Sequence, residues 1–253
     1  MKFVDLETAR SMRGLRLVVM GGLPSLWSEA AKGLFQMKGI DFAAVRYRIG
    51  DQAVRDWTGV RNAPVAVFDD EPPRSQWHEI LALAERLDDR VPLVPADPET
   101  RALMFGLSHE ICSEMGLAWC ARLLVLHQSF ASNGARGFPL RAAQYLAPKY
   151  GYAPERVPTT RQRVLEILAL LASQLGRSGH AYFLGERPTA LDVYASTALA
   201  MLAPLPHAEC PMIPELRKAF DDLDEDLKRA VPAALLAHRQ LMYQRHLTLP
   251  IAL

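Results

Sequence analysis

No cysteine precedes residue 112, and the three that occur, Cys112, Cys120 and Cys210, share no C-x-x-C spacing. An odd, scattered set builds neither a disulfide framework nor a tetrahedral zinc site. It also excludes cysteine redox chemistry from the first hundred residues. Long apolar runs are missing too: none approaches the roughly 20 residues a membrane-spanning helix needs, so no membrane contact is expected. Nor is there an excess of charge of one sign. The 253-residue chain has formal net charge +1, with thirteen Lys+Arg against thirteen Asp+Glu up to Pro95 and sixteen against fifteen after it. With neither half basic, nothing points to nucleic acid. No long apolar region follows Met1-Lys2-Phe3-Val4-Asp5, so no signal peptide is expected and the cytoplasm is the expected compartment. His109 and His127 have no carboxylate or cysteine at ligand spacing, and no metal site is expected. At 50% hydrophobic and 23% charged residues, what remains is a globular protein able to bury a substantial core.

What is present centres on Leu15 to Asp41. Leu15, Leu17, Val18, Val19 and Met20 form a short apolar run that Gly21-Gly22 breaks, as a buried strand ends. Leu23-Pro24-Ser25 leads into a helical stretch, Trp27 to Met37, that Lys38-Gly39 closes. Ile40, Phe42, Ala44 and Val45 begin a second strand. The unit is β-turn-α-β, and its turn sets the Ser25 hydroxyl at a helix N-terminus, where unpaired backbone N–H groups favour negative charge. A serine there also serves as an N-cap; local sequence alone leaves both readings open.

Residues 1–12 read as a polar surface extension and residues 13–90 as an α/β domain. Within it, Phe42 to Tyr47 is a strand, Gly50 to Asn62 a short helix and loop, and Ala63 to Phe68 a strand headed by a proline. Asp69 to Pro73 reads as a turn with a hairpin partner just beyond it, and Ser75 to Asp88 as a helix. Residues 91–98 carry three prolines and read as a linker. Residues 99–253 read as all-helical: one long helix from Glu99 to Phe130, kinked at Gly106 or Gly116, then Leu140 to Leu146, Thr159 to Leu175, a buried helix from Thr189 to Leu202, and covering helices over Ile213–Ala230 and Pro232–His246.

This layout, with Pro24-Ser25 before a helix ended by Lys38-Gly39-Ile40, with Ala63-Pro64-Val65, and with Thr189 and Asp192 opening the buried helix, resembles the cytosolic glutathione transferase family in a serine-type form. The resemblance implies a thioredoxin-like N-terminal domain followed by an all-α C-terminal domain, glutathione as co-substrate, and a homodimer. It makes Ser25 the hydroxyl that holds the glutathione sulfur. Ala63-Pro64 becomes a cis-proline strand entry that offers its backbone to the cysteinyl part. Ser75 and Gln76 fall where the family usually has Glu-Ser to hold the γ-glutamyl carboxylate, and here the segment instead reads Arg74-Ser75-Gln76-Trp77. Either Ser75 keeps the hydroxyl with Arg74 in place of the acid, or Gln76 replaces the acid and Trp77 the serine.

Serine suits the implied role, because only a thiolate attacks electrophiles and a hydroxyl donor stabilises it. The first tyrosine, Tyr47, lies outside the turn; Ser28 is a fallback whose plainer reading is a first-turn helix serine. Leu23 and the shared face of Ser108, Cys112, Met115 and Trp119 would line the pocket for a small hydrophobic electrophile, or else be ordinary core. Trp57 and Trp77 read as packing residues. Thr189 and Asp192 form a capping box whose role is structural. Trp77, Met104 and Arg122 suggest a dimer face. The rival reading is a non-catalytic scaffold of the same fold, and a second enzymatic one is glutathione-dependent isomerisation or dehalogenation.

Overall fold

The apolar run at Leu15 becomes the central strand of a sheet. In the computed structural model, which describes residues 1–253, the first domain comprises β1 (Lys2–Phe3), α1 (Leu6–Ser11), β2 (Leu15–Met20), α2 (Leu26–Met37), β3 (Ala43–Tyr47), α3 (Gln52–Thr58), β4 (Val65–Phe68) and α4 (Trp77–Leu87). The strands lie in the order β1-β3-β2-β4. β1 and β2 run parallel to β3, and β4 runs antiparallel to β2 with Leu17 opposite Ala66. Successive side chains on a strand point to opposite faces. Leu17 and Val19 therefore join the core with Leu34 of α2 and Ile80 of α4. Val18 joins a smaller cluster on the other face, with Ala9 of α1 and Val54 of α3.

Residues 1–12 are more than a surface extension. Lys2–Phe3 adds an edge strand against β3, and Asp5 caps α1 by accepting from the Thr8 N–H at 2.8 Å. Arg16, too, is buried, its guanidinium donating to the carbonyls of Gly14 and Asp69. The hairpin beyond Asp69 shrinks to a single bridge between Ala66 and Arg74.

The second domain contains α5 (Pro98–Cys112), α6 (Leu117–Ala131), α7 (Leu140–Tyr150), α8 (Val157–Ser178), α9 (Ala190–Ala198), α10 (Pro214–Asp221), α11 (Glu225–Arg229) and α12 (Ala233–Arg245). The expected single helix over Glu99 to Phe130 is two. Residues 113–116 break it, with Met115 at φ +58° and Gly116 where a Cβ would come within 2.8 Å of the Glu110 carbonyl oxygen. Gly106, by contrast, lies inside α5. Residues 213–230 also divide, because Asp224 starts a new helix by accepting from the N–H groups of Asp226 and Leu227.

Both domains share one continuous core, in which Leu17 and Leu34 of the first join Met104 and Tyr194 of the second. α2 packs against α9 at its own Gly33, where a Cβ would meet Leu247 Cδ2 at 2.8 Å and Val193 Cγ1 at 3.0 Å. Lys38, just beyond α2, is buried and donates to Glu85 Oε1 (2.7 Å) and to the Val91 carbonyl (2.8 Å). The proline-rich linker is stitched down by the same carboxylate: Glu85 accepts from the Leu93 N–H, and the Leu93 carbonyl accepts from Ala190 at the start of α9.

That start is the capping box. Asp192 Oδ2 accepts from the Thr189 N–H (2.7 Å) and hydroxyl (2.9 Å). Oδ1 accepts from the Phe183 N–H (3.0 Å) and lies 2.9 Å from His238 Nε2. Every one of these groups is buried, so the carboxylate serves three parts of the chain at once.

Candidate active site

The Leu23-Pro24-Ser25 turn brings Ser25 to the N-cap position of α2, with its carbonyl accepting the first helical bond from Glu29. Its hydroxyl makes no capping bond and no other hydrogen bond within the chain. Ser28, three residues on, behaves differently: it is fully buried and its hydroxyl accepts from the Met20 N–H at 3.1 Å. The fallback serine is therefore structural, and Ser25 is the one with a free hydroxyl. It faces a cleft of about 460 Å³ between the domains, a volume in the range of small-molecule sites.

Four further residues assigned to glutathione lie on this cleft: Ala63, Pro64, Ser75 and Gln76. The Ala63-Pro64 peptide is cis, as the resemblance implied. Gln76 caps α4, and Glu79 reaches back to the N–H groups of Ser75 (3.2 Å) and Gln76 (3.0 Å). Arg74 is not free to replace the family's acid at an anion site, because it donates to Glu71 at 2.7 Å and stands away from the cleft.

Of the residues expected to receive the electrophile, Leu23, Cys112 and Trp119 line the cleft and two do not. Ser108 is fully buried with its hydroxyl unpartnered, and Met115 sits exposed in the break between α5 and α6. The break accounts for Met115, which leaves the helix there; Ser108, one turn before Cys112 on α5, lies inside the core. Cys112 offers no nucleophile, since burial pushes its thiol well up.

Several cleft residues escaped the sequence reading. The Trp27 indole donates to the Cys112 carbonyl at 2.8 Å, and the Trp77 indole donates to Ser113 Oγ at 3.1 Å, which lies 3.0 Å from His109 Nδ1. Both tryptophans thus join the domains across the site, and Trp77 is more than a packing residue. Trp57 does pack, in the smaller cluster on the far face of the sheet. Tyr47, set aside for its place in sequence, ends β3 on the cleft wall, where burial raises its hydroxyl pKa. Arg122 of α6 also lines the cleft, and it had a visible signal as the lone cation in an apolar helix. Met104 is buried within the chain and so cannot form the expected dimer face, while Trp77 and Arg122 line this cleft. No group of three His, Cys, Asp or Glu side chains comes together here or elsewhere in a way that could hold a metal ion, and no helix is long and apolar enough to cross a membrane.

Comparison with known proteins agrees with this geometry. Residues 154–229 match the family model described as glutathione S-transferase, C-terminal domain. No curated protein sequence matches the chain. Among solved structures, a glutathione S-transferase from Methylobacterium radiotolerans in complex with glutathione sulfonate is similar at TM-score 0.62 and 18% identity, covering 92% of each chain. A glutathione S-transferase from Methylobacillus flagellatus with glutathione bound gives TM-score 0.61 at 16% identity, over 92% of this chain and 96% of that one. The beta-etherase LigF from Sphingobium sp. strain SYK-6 gives 0.61 at 15%, over 91% and 95%. The chain has the glutathione transferase fold throughout, and its second domain carries the sequence signature of that family's C-terminal domain.

Proposed function

We propose that the cleft binds glutathione along its first-domain wall and activates its thiol for attack on a small hydrophobic electrophile. The observation that carries this is the free Ser25 hydroxyl, buried to 4% exposure at the start of α2 and sharing the cleft with Ala63-Pro64. The N–H groups of Leu26 and Trp27 make no hydrogen bond within the chain, so a sulfur beside Ser25 meets the positive end of the helix as well as the hydroxyl. The thiol loses its proton to water, and Ser25 donates to the thiolate. The sulfur then forms a bond to the electrophilic carbon as the bond from that carbon to the departing group breaks, its electron pair going with that group. The N–H groups of Trp77 and His78, at the start of α4, have no acceptor in the chain and suit the γ-glutamyl carboxylate. Solved proteins of the same fold with glutathione bound support the co-substrate, and the likeness to a beta-etherase makes an ether bond one candidate for attack.

Kinetics of Ser25→Ala test the reading. Losing one charge-assisted bond of about 1.5–3 kcal/mol, or somewhat more in a dry site, slows conjugation roughly 10- to 1,000-fold. Glutathione affinity changes little, and the pH–rate profile moves alkaline toward the free thiol value of about 8.5. Tyr47→Phe, which removes another hydroxyl from the wall, leaves that profile in place. Equal rates for wild type and Ser25→Ala would return the serine to a helix-end role. If glutathione at millimolar concentration fails to raise the melting temperature, the scaffold reading takes over.

A further inference from the structure

Five basic side chains are buried in this protein: Arg16, Lys32, Lys38, Arg122 and His238. Four of them have acceptors. Arg16 donates to two carbonyls, Lys32 and Lys38 each to a carboxylate and a carbonyl, and His238 contacts Asp192. Arg122 has none. It is 6% exposed, forms no hydrogen bond or ion pair with any group of the chain, and its Nε is sealed from solvent without a partner. A buried cation lacking an acceptor is costly. Aromatic faces offset part of that: the guanidinium carbon lies 5.5 Å from the ring centres of Phe138 and Tyr150 and 6.0 Å from that of Trp27. Rings do not satisfy five N–H donors in a planar fork, which match a carboxylate two at a time.

The surroundings repeat the demand. Lys149 reaches the same cleft and gives one of its protons to Asn62 Oδ1 at 2.9 Å. Arg61 stands at the rim with no ion pair. The lining contains one carboxylate, Glu114, which is exposed and pairs with neither Arg122 nor Lys149. Positive charge, flat aromatic walls and no internal counter-ion thus meet at the second-domain side of the site.

We propose that this side of the cleft binds an aromatic molecule bearing a carboxylate, with Arg122 gripping the carboxylate and Phe138, Tyr150 and Trp119 receiving the ring. As the second substrate of the transferase reaction, this ligand rests on the function proposed above; as a binding site, it stands on Arg122 itself. It replaces a purely hydrophobic electrophile with an acidic one.

A carboxylate of glutathione is the other source of the same chemistry, so the test separates the two. Cinnamate and cinnamamide are titrated without glutathione, with tryptophan fluorescence and calorimetry as readouts, into wild type, Arg122→Met and Arg122→Lys. Wild type is expected to bind the acid at least tenfold tighter than the amide. Arg122→Met abolishes that preference and Arg122→Lys retains part of it, while the melting-temperature rise given by glutathione is the same in all three. Equal binding of acid and amide by wild type overturns the proposal, and this comparison needs no folded variant. A glutathione response lost in Arg122→Met, with the acid preference intact, also overturns it and assigns Arg122 to glutathione. Acid preference in a protein that ignores glutathione upholds the carboxylate site and removes only the transferase reading.

Discussion

Two residues separate Ser25 from Ser28, and hydrogen bonding divides their work. The Ser28 hydroxyl accepts from a strand N–H in a dry interior, so Ser28→Ala leaves that donor unpaired at a cost of about 1–3 kcal/mol, with no change in the pH–rate profile. Ser108 shows the opposite case. Its hydroxyl is buried with no partner and stands off the cleft. Ser108→Ala removes an unsatisfied group and leaves only a small void, so the urea midpoint should hold or rise by up to ~1 kcal/mol equivalent, with acceptor KM unchanged. A raised KM would return Ser108 to the pocket. These assignments mark the limit of a sequence reading at this scale. Ser25 was legible because its place in the turn is local. Ser108 was not, because how far along α5 the cleft reaches is set by the helices packed against it, α9 among them, and not by α5's own sequence. Arg122 was seen but misplaced, since a lone cation on an apolar helix signals a partner without saying from which side it comes.

At the scale of elements, the strands, α2, α4 and the second domain's helical character followed from period and punctuation. The edge strand at Lys2–Phe3 did not, because two residues carry no period and gain their structure only by pairing with β3. The capping box was legible in its two residues, but its weight was not. Asp192 also accepts from Phe183 and meets His238, both outside the box itself. Asp192→Ala should therefore exceed the usual cost of a lost cap, reaching about 3–5 kcal/mol in chemical denaturation. A loss below ~1 kcal/mol would show that water reaches the site. α2 carries a second buried carboxylate, Glu29, 2.7 Å from the Lys32 ammonium. Burial raises the Glu29 pKa and Lys32 opposes the rise. In Lys32→Met the carboxyl pKa rises further above its unfolded value. Such a shift contributes stability below the unfolded pKa, lost as pH climbs through the folded one. The deficit of Lys32→Met should thus be about 3–5 kcal/mol at pH 8 and smaller at pH 5, as paired urea titrations would reveal. A deficit that widens on acidification would contradict the buried-pair account.

For the whole molecule, the shared core and the paired tryptophan bonds make the domain boundary a packed interior. Residues 91–98 were legible as a connection from their prolines, yet Leu93 is buried and bonded on both sides through Glu85 and Ala190. Cooperative loss of both domains follows. Gly33→Ala would force Leu247 and Val193 apart, costing about 1–3 kcal/mol despite the better helix propensity of alanine. Leu247→Ala in the same chain should return part of that stability, which differential scanning calorimetry would register as a partial recovery of melting temperature. No recovery would place the strain within α2 itself.

Gly33 lies eight residues along α2 from Ser25, or about 12 Å at 1.5 Å per residue. The bare spot on the helix is a footprint of the second domain, shaped to Val193 and Leu247. The serine's position is thus inherited through an interface that contains none of the reacting groups. A chimaera that grafts another relative's helical half onto this sheet would keep every first-domain residue of the site and still aim the hydroxyl differently, unless the graft brings side chains that fit the same notch.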